Sequence, residues 1–429
     1  MKRLFVLLAF LVFSAPCVFA SIDTIAVDVG ISVFKTTPIG IVPFEEKPGI
    51  EWIEERPHQI LTRDANLSGR FDVVASEKFN LALFSRSHAD YYMTGKVSPL
   101  ADGLLKVECF LYVSKSKTLR LGESYTVKQK NLRRAVHDFF DKATLCITGE
   151  RGVATTRLAF VSKIDGVKQV VISDYDGFHR SQVTRDSTIS MMPVWMRGNA
   201  GLVYVNFKTR RPRLYAKKFG GAEYPLFAQF DQTYSPAVNS RTGELLFSST
   251  VDGKTDLYLG NMETGKARKF AYLKSNQTSP AWSPTASEVL FTSDRGGSPQ
   301  IFVMEKDGSD LRRVTFMGRY NERASWSPNG DRIVYTSMDN GKMNIYTCAL
   351  DGSDIVQLTN NAGNNEHPTW SPDGKLIAFS SNRSGTYQIY IMRFDGANVT
   401  RITQGGENTA PTWSWFNEDI KQQKKEGNQ

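Results

Sequence analysis

Apolar and polar positions in the second half of the chain repeat in long units rather than merely alternating. HPTWSPDGKLIAFSSNRSGTYQIYIMRFDG begins at His367, SPAWSPTASEVLFTSDRGGSPQIFVMEKDG at Ser279, and RASWSPNGDRIVYTSMDNGKMNIYTCALDG at Arg323. In each unit a tryptophan precedes a tight turn, an alternating apolar run, a second turn and a third apolar run. Trp282, Trp326 and Trp370 stand 44 residues apart. Weaker copies from Met192 and Tyr234 place Trp195 and Val238 in the same column, and APTWSW adds Trp413. Nine residues beyond each column member except the last comes an aromatic: Tyr204, Phe247, Phe291, Tyr335 and Phe379. Phe160, in RLAFVSK, carries that second column one step back.

Repeats of about 40–45 residues holding four short strands are the sequence form of a β-propeller. PTWS reads as the innermost strand, LIAFSS as the second, YQIYIMRF as the third and VTRIT as the outer one. SPDGK, NRSGT and Asp-Gly (Asp307-Gly308, Asp351-Gly352, Asp395-Gly396) supply the turns. Both columns have six members but are offset by one. The first repeat lacks its opening strand and the chain's end supplies a spare. The pattern therefore predicts six blades over residues 149–417, with the strand at Trp413 completing the first blade beside residues 158–161. Such closure removes exposed edges. The Trp and Phe/Tyr columns are expected to fill the space between blades.

Residues 21–148 lack the repeat and read as a small α/β N-terminal domain. IDTIAVDVGISVF alternates apolar residues at 25, 27, 29, 31 and 33, as a half-buried strand does. PIGIVPF is a shorter strand, and roughly residues 51–67 are helical in composition. SGRFDVV, ADYYMTGKV, LLKVECFLYV and ESYTVKQK follow as strands. LRRAVHDFFDKATLCIT places Val136, Phe139, Phe140, Ala143 and Cys146 on one helical face. TGERG, residues 148–152, reads as a hinge into the all-β six-bladed propeller.

Composition adds little to the fold but restricts function. The chain has 429 residues, 41% hydrophobic and 23% charged, as soluble globular proteins do. Its net charge of +9 is spread along the chain apart from KQQKK in a polar basic tail, residues 418–429. No arginine cluster is interleaved with aromatics, so nucleic acid is not an expected partner. Residues 1–20 read as a signal peptide: Lys2 and Arg3, an apolar core, then cleavage between Ala20 and Ser21. A lipoprotein signal ending at Cys17 is disfavoured by Pro16. An exported, soluble monomer is expected. Cys109, Cys146 and Cys348 form no disulfide framework, and His58, His88, His137, His179 and His367 share no motif.

His367, Asp373, Ser380 and Ser381 invite a catalytic interpretation, but the repeat accounts for most of them as strand and turn. GGSPQ, residues 296–300, fails the G-x-S-x-G pattern of a nucleophile elbow at its last position. No phosphate-binding glycine motif is present. No catalytic residue, metal site or cofactor is expected, and calcium at the Asp-Gly turns is the weaker reading of residues that a hairpin needs. The polar loops entering each inner strand share one face and vary while the scaffold repeats, which is where propellers place binding. That rim collects Gln232, Thr233 and Tyr234; Asn276, Gln277 and Thr278; Asn321, Glu322 and Arg323; Asn365, Glu366 and His367; and Asn408 and Thr409.

Taken together, PIGIVPF, ILTRDANLSGRFDVV, ADYYMTGKV, TGERGVATTRLAFV and the P-x-W-S-P-D-G-K repeat resemble the TolB family, the soluble periplasmic component of the Tol–Pal envelope system. The likeness covers almost all of the chain after residue 20. It implies a non-enzymatic scaffold whose propeller binds the peptidoglycan-associated lipoprotein at one mouth of its channel. It also implies that the segment around residues 21–34, with Ser21, Ile22, Asp23, Ile25 and Val27, contacts inner-membrane Tol proteins. Thr278 looks like a family partner-contact threonine. Gln232 stands where a histidine is expected, a departure from the pattern. The competing reading is a propeller-type hydrolase or a small-ligand sensor of the periplasm.

Overall fold

The structure is a computed structural model that describes residues 35–52, 55–75 and 89–416. The first-strand reading at residues 22–34, the cleavage site at Ala20 and Ser21, and the contact residues Ser21, Ile22, Asp23, Ile25 and Val27 lie outside the described residues, as does the tail from 417.

Among the described residues, the first half is a sheet with two α-helices. Strand β1 (Thr37–Ile41) runs parallel to both β3 (Phe71–Ala75) and β4 (Tyr91–Pro99). Antiparallel β5 (Leu104–Val113) and β6 (Thr118–Lys128) extend the sheet in the order β3-β1-β4-β5-β6, and the short β2 (Glu45–Glu46) pairs with β4. Helix α1 covers Pro57–Ser68, starting later than the composition suggested because Pro57 sets the first turn. Helix α2 covers Leu132–Thr148, buries Val136, Phe139, Phe140 and Ala143, and stops at Gly149 in the left-handed conformation.

The second half forms six four-stranded antiparallel sheets. The inner strands of blades two to six are Ser190–Trp195, Thr233–Val238, Gln277–Trp282, Asn321–Trp326 and Asn365–Trp370. Blade one takes its inner strand from the far end of the chain. Asn408–Trp413 pairs with Arg157–Ile164, Trp413 opposite Leu158 and Thr409 opposite Val161. The offset between the two aromatic columns is thus the ring closure.

Every member of the Phe/Tyr column is buried, and five of the six face an aromatic across the strand pair: Tyr204 and Tyr215, Phe247 and Tyr258, Phe291 and Phe302, Tyr335 and Tyr346, Phe379 and Tyr390. Such directly opposed pairs stabilise a sheet by up to about 1 kcal/mol each. The tryptophans fill the gaps between blades; Trp370, for example, packs with Val334 and Ile345 of the preceding blade. Three also tie blades through hydrogen bonds. Trp195 Nε1 donates to the Thr412 carbonyl, Trp282 to Ala237 and Trp326 to Ala281, at 3.1–3.2 Å.

Residues 148–152, read as a hinge, are fastened rather than loose. The buried Arg70 side chain bonds Glu150 at 2.7 Å and the Arg151 carbonyl at 3.4 Å, and Lys375 reaches Glu150 at 3.1 Å. Just beyond, Asp141 accepts from the backbone N–H of Ala154 and of Thr155. Burial pushes the Asp141 carboxyl up to about 6 even though these bonds pull it down. The sheet-and-helix region packs against blades one and six, on the propeller face that carries the Ser-Pro-Asp-Gly and Asp-Gly turns. Arg70 pairs with Asp373 at 2.8 Å, Asn398 donates to the Asn66 carbonyl at 2.6 Å, and the Asp176-Gly177 turn enters a buried polar cluster. The face carrying the rim loops is the opposite one.

Candidate functional site

Each inner strand contains the same irregularity. The ladder shifts register between Met191 and Val194, Tyr234 and Ala237, Thr278 and Ala281, Glu322 and Ser325, Glu366 and Thr369, and Thr409 and Thr412. These are β-bulges, which insert one residue and re-aim the side chains around it. The inserted residues are Met192, Ser235, Ser279, Arg323, His367 and Ala410, with φ between 49° and 56°. Proline follows in five of the six, and a bulge is where a strand tolerates a missing N–H.

The bulge sorts the rim. Four of the six inner strands read buried, half-buried, half-buried, buried, half-buried, buried, the doubled half-buried pair replacing strict alternation. The first position is buried: Thr233, Gln277, Asn321, Asn365 and Asn408 are at most 1% exposed. In four of the five the polar groups fasten neighbouring blades. Asn321 donates to Gln300 Oε1 at 2.8 Å, which also accepts from Thr315, and Asn408 with Gln388 and Thr403 repeats the arrangement. Thr233 accepts from the Leu214 N–H. All five side chains are buried: Thr233, Asn321, Asn365 and Asn408 bond the preceding blade, whereas Gln277 bonds Ser275 in its own loop. Asn276 is exposed but clasps Asp294 through its own N–H and side chain.

The second position, at the rim end of each inner strand, holds Tyr234, Thr278, Glu322, Glu366 and Thr409, all half-buried, with Gln232 just before Thr233. Tyr320 donates to Glu322 at 2.9 Å and Tyr387 to Glu366 at 2.5 Å; burial and these carboxylates raise both phenols, that of Tyr320 to about 12. Tyr234 meets Thr250 and Thr255 at 2.8 Å. The third position is the bulge residue itself. All six bulge residues line a cavity of about 600 Å³ that runs down the channel past the prolines and tryptophans to Trp415 and Phe416.

The tempting constellation from His367 to Ser381 does not assemble. His367 faces the channel, Asp373 lies at the far end of the strand against Arg70, and Ser380 accepts from the Ala410 N–H. The Asp-Gly carboxylates are occupied at their own turns: Asp307, Asp351 and Asp395 accept from Ser309, Ser353 and Ala397 N–H.

Sequence reasoning missed a buried charge cluster. Asp64 on α1 accepts from His137 on α2 at 2.8 Å and from the Tyr175 hydroxyl at 2.8 Å. Arg133, also on α2, pairs with Asp176 and with Glu55 at 2.7 Å and lies 3.8 Å over the Phe178 ring. Burial alone would lower the His137 pKa, but the Asp64 and Asp176 carboxylates outweigh it and raise it. Although Asp64, His137 and Asp176 could converge on an ion, the Arg133 guanidinium already pairs with Asp176 there. The only signal in the sequence is charge in a helix that is otherwise apolar on that face.

Among the described residues no helix is long and apolar enough to cross a membrane. The TolB amino-terminal domain model matches residues 25–119, and the TolB β-propeller domain model matches 145–344 and 326–429. A Tol-Pal system protein TolB of Polaromonas naphthalenivorans is 32% identical over 233 residues, 52% of this chain and 53% of that one. One from another Polaromonas strain is 32% identical over 202 residues, 45% and 46% of the two chains. The chain spans about half the length of the curated relatives it matches. The crystal structure of TolB from Acinetobacter baumannii superposes with a TM-score of 0.76 at 23% identity, covering 89% of this chain and 97% of that one, a likeness of fold. With family models covering both halves, this chain belongs to the TolB family.

Proposed function

We propose that the chain is a non-catalytic periplasmic scaffold of the Tol–Pal system. Its propeller binds the peptidoglycan-associated lipoprotein at the channel mouth, and its segment around residues 21–34 contacts inner-membrane Tol proteins. Bridging the two would support envelope integrity and outer-membrane constriction at division. The observation carrying this reading is the ring at the second inner-strand position. Tyr234, Thr278, Glu322, Glu366 and Thr409 differ in chemistry on a strictly repeated scaffold, on the face away from the sheet-and-helix region. Variable side chains on a rigid frame are what selective protein recognition requires. The names of the matched relatives support the same assignment.

Affinity capture from envelope extract tests it. The mature chain is expected to retain the lipoprotein, and Thr278→Arg, which puts a long cation into the mouth, is expected to lower that affinity at least about tenfold. Removing residues 21–29 should spare the lipoprotein and release the inner-membrane partner. Capture of no protein partner, together with hydrolase activity in the purified chain, would favour the competing reading instead.

A further inference from the structure

Beyond partner docking at the mouth, the geometry points to the channel interior as a binding site for a small organic carboxylate, held between the inner strands of blades five and six with its apolar body against the tryptophan and proline wall. The cavity, about 600 Å³, falls in the size range of small-molecule sites. Its lining contains Arg241, Arg323 and His367 but no aspartate or glutamate. Arg323 and His367 occupy equivalent bulges on adjacent blades, so both side chains are aimed into the channel.

The same seam carries unused polar atoms. Trp195, Trp282 and Trp326 donate to the preceding blade, whereas Trp370 Nε1 is buried without a hydrogen-bond partner. His367 Nδ1 and Thr336 Oγ1, at the same seam, are buried and unbonded too. A buried polar group left unbonded is costly, so it calls for an explanation. An arginine, an imidazole and an indole N–H beside an apolar wall form a donor set for a carboxylate with a hydrophobic body.

The charges facing His367 set its pH behaviour. Burial, then Arg323 and Lys168, hold the imidazole well below its ordinary range. Glu366 lies 3.8 Å from Nδ1, Glu322 sits 3.6 Å from Arg323 Nε, and Glu407 pairs with Lys168 at 3.3 Å. These surroundings favour the neutral imidazole in the free protein. A carboxylate bound beside it favours protonation, so binding must tighten as pH falls.

Benzoate and its neutral isostere benzamide are the probes, titrated into the mature chain by calorimetry and by NMR of the His367 ring proton. Benzoate is expected to saturate, to bind more tightly at pH 5.5 than at pH 8, and to move the His367 titration upward; benzamide is expected to do none of these. Arg323→Gln should weaken benzoate about tenfold, the size of one charge-assisted hydrogen bond. Equal behaviour of the two probes, or a His367 titration unmoved by benzoate in the unaltered protein, overturns the site. Neither measurement involves the lipoprotein, so failure here leaves the scaffold reading to its own test.

Discussion

Deleting residues 409–415 is expected to cost the propeller its single cooperative melt, or at least to lower its melting temperature by about 10 °C or more. The deletion removes nearly all of the strand that closes the ring. Trp413, 5% exposed, donates to Thr156 Oγ1 at 2.7 Å, and burying a tryptophan is worth about 3–5 kcal/mol by itself. Thr412 gives up the carbonyl that holds Trp195, Ser414 the hydroxyl that accepts from the Arg157 N–H, and Trp415 its bonds to Asn199. Arg157–Ile164 would become an unpaired edge facing a gap between blades two and six. Against a total stability of about 5–15 kcal/mol these losses are decisive. A thermal melt unchanged from the full chain would contradict closure by the C-terminal strand.

Asp176→Ala is expected to destabilise the chain by about 3–5 kcal/mol, because it leaves a buried cation without its main partner. Arg133 and Asp176 have no exposed side-chain surface, and His137 has almost none. Chemical denaturation at pH 6 followed by tryptophan fluorescence measures the loss; a change below about 1 kcal/mol would mean that the cluster contributes nothing specific. The sign of its pH dependence follows from the direction of the His137 shift. A pKa raised on folding contributes stability that is fully present below the unfolded value of about 6.5 and is lost as pH rises through the folded value. Burial raises Asp176 as well, so both groups hold protons more firmly in the folded state. Stability should therefore fall on the alkaline side, and His137→Gln should flatten that fall.

How much of this was legible in the sequence depends on what each feature answers to. The Trp and Phe/Tyr columns are set by local period, and the same spacing that reveals the blades also reveals the closure through Trp413 and Phe160. Helix α2 was equally plain from Val136, Phe139, Phe140 and Ala143. The rim was only partly legible. A bulge at the residue before each proline adds one position to the alternation, so Asn365 turns inward, His367 turns into the channel and Glu366 between them stays half-buried at the rim. Pro368 marks the place, but a proline in a strand does not say which neighbour swings. The cluster of Asp64, His137 and Asp176 was legible only as charge on an otherwise apolar helix face. Its members come from two helices and a propeller turn, and only the packing of the sheet-and-helix region onto blade one makes them neighbours.

The proposed function places the peptidoglycan-associated lipoprotein on the channel mouth opposite that packing. Hydrogen–deuterium exchange on the mature chain, with and without saturating peptidoglycan-associated lipoprotein, tests it most directly. Slowed exchange is predicted in the loops that lead into the inner strands, residues 272–276, 316–320, 361–364 and 404–407, and in the neighbouring turn at 383–386. Protection confined to the opposite turns at 372–374 and 394–397, or no protection at saturation, would contradict the account.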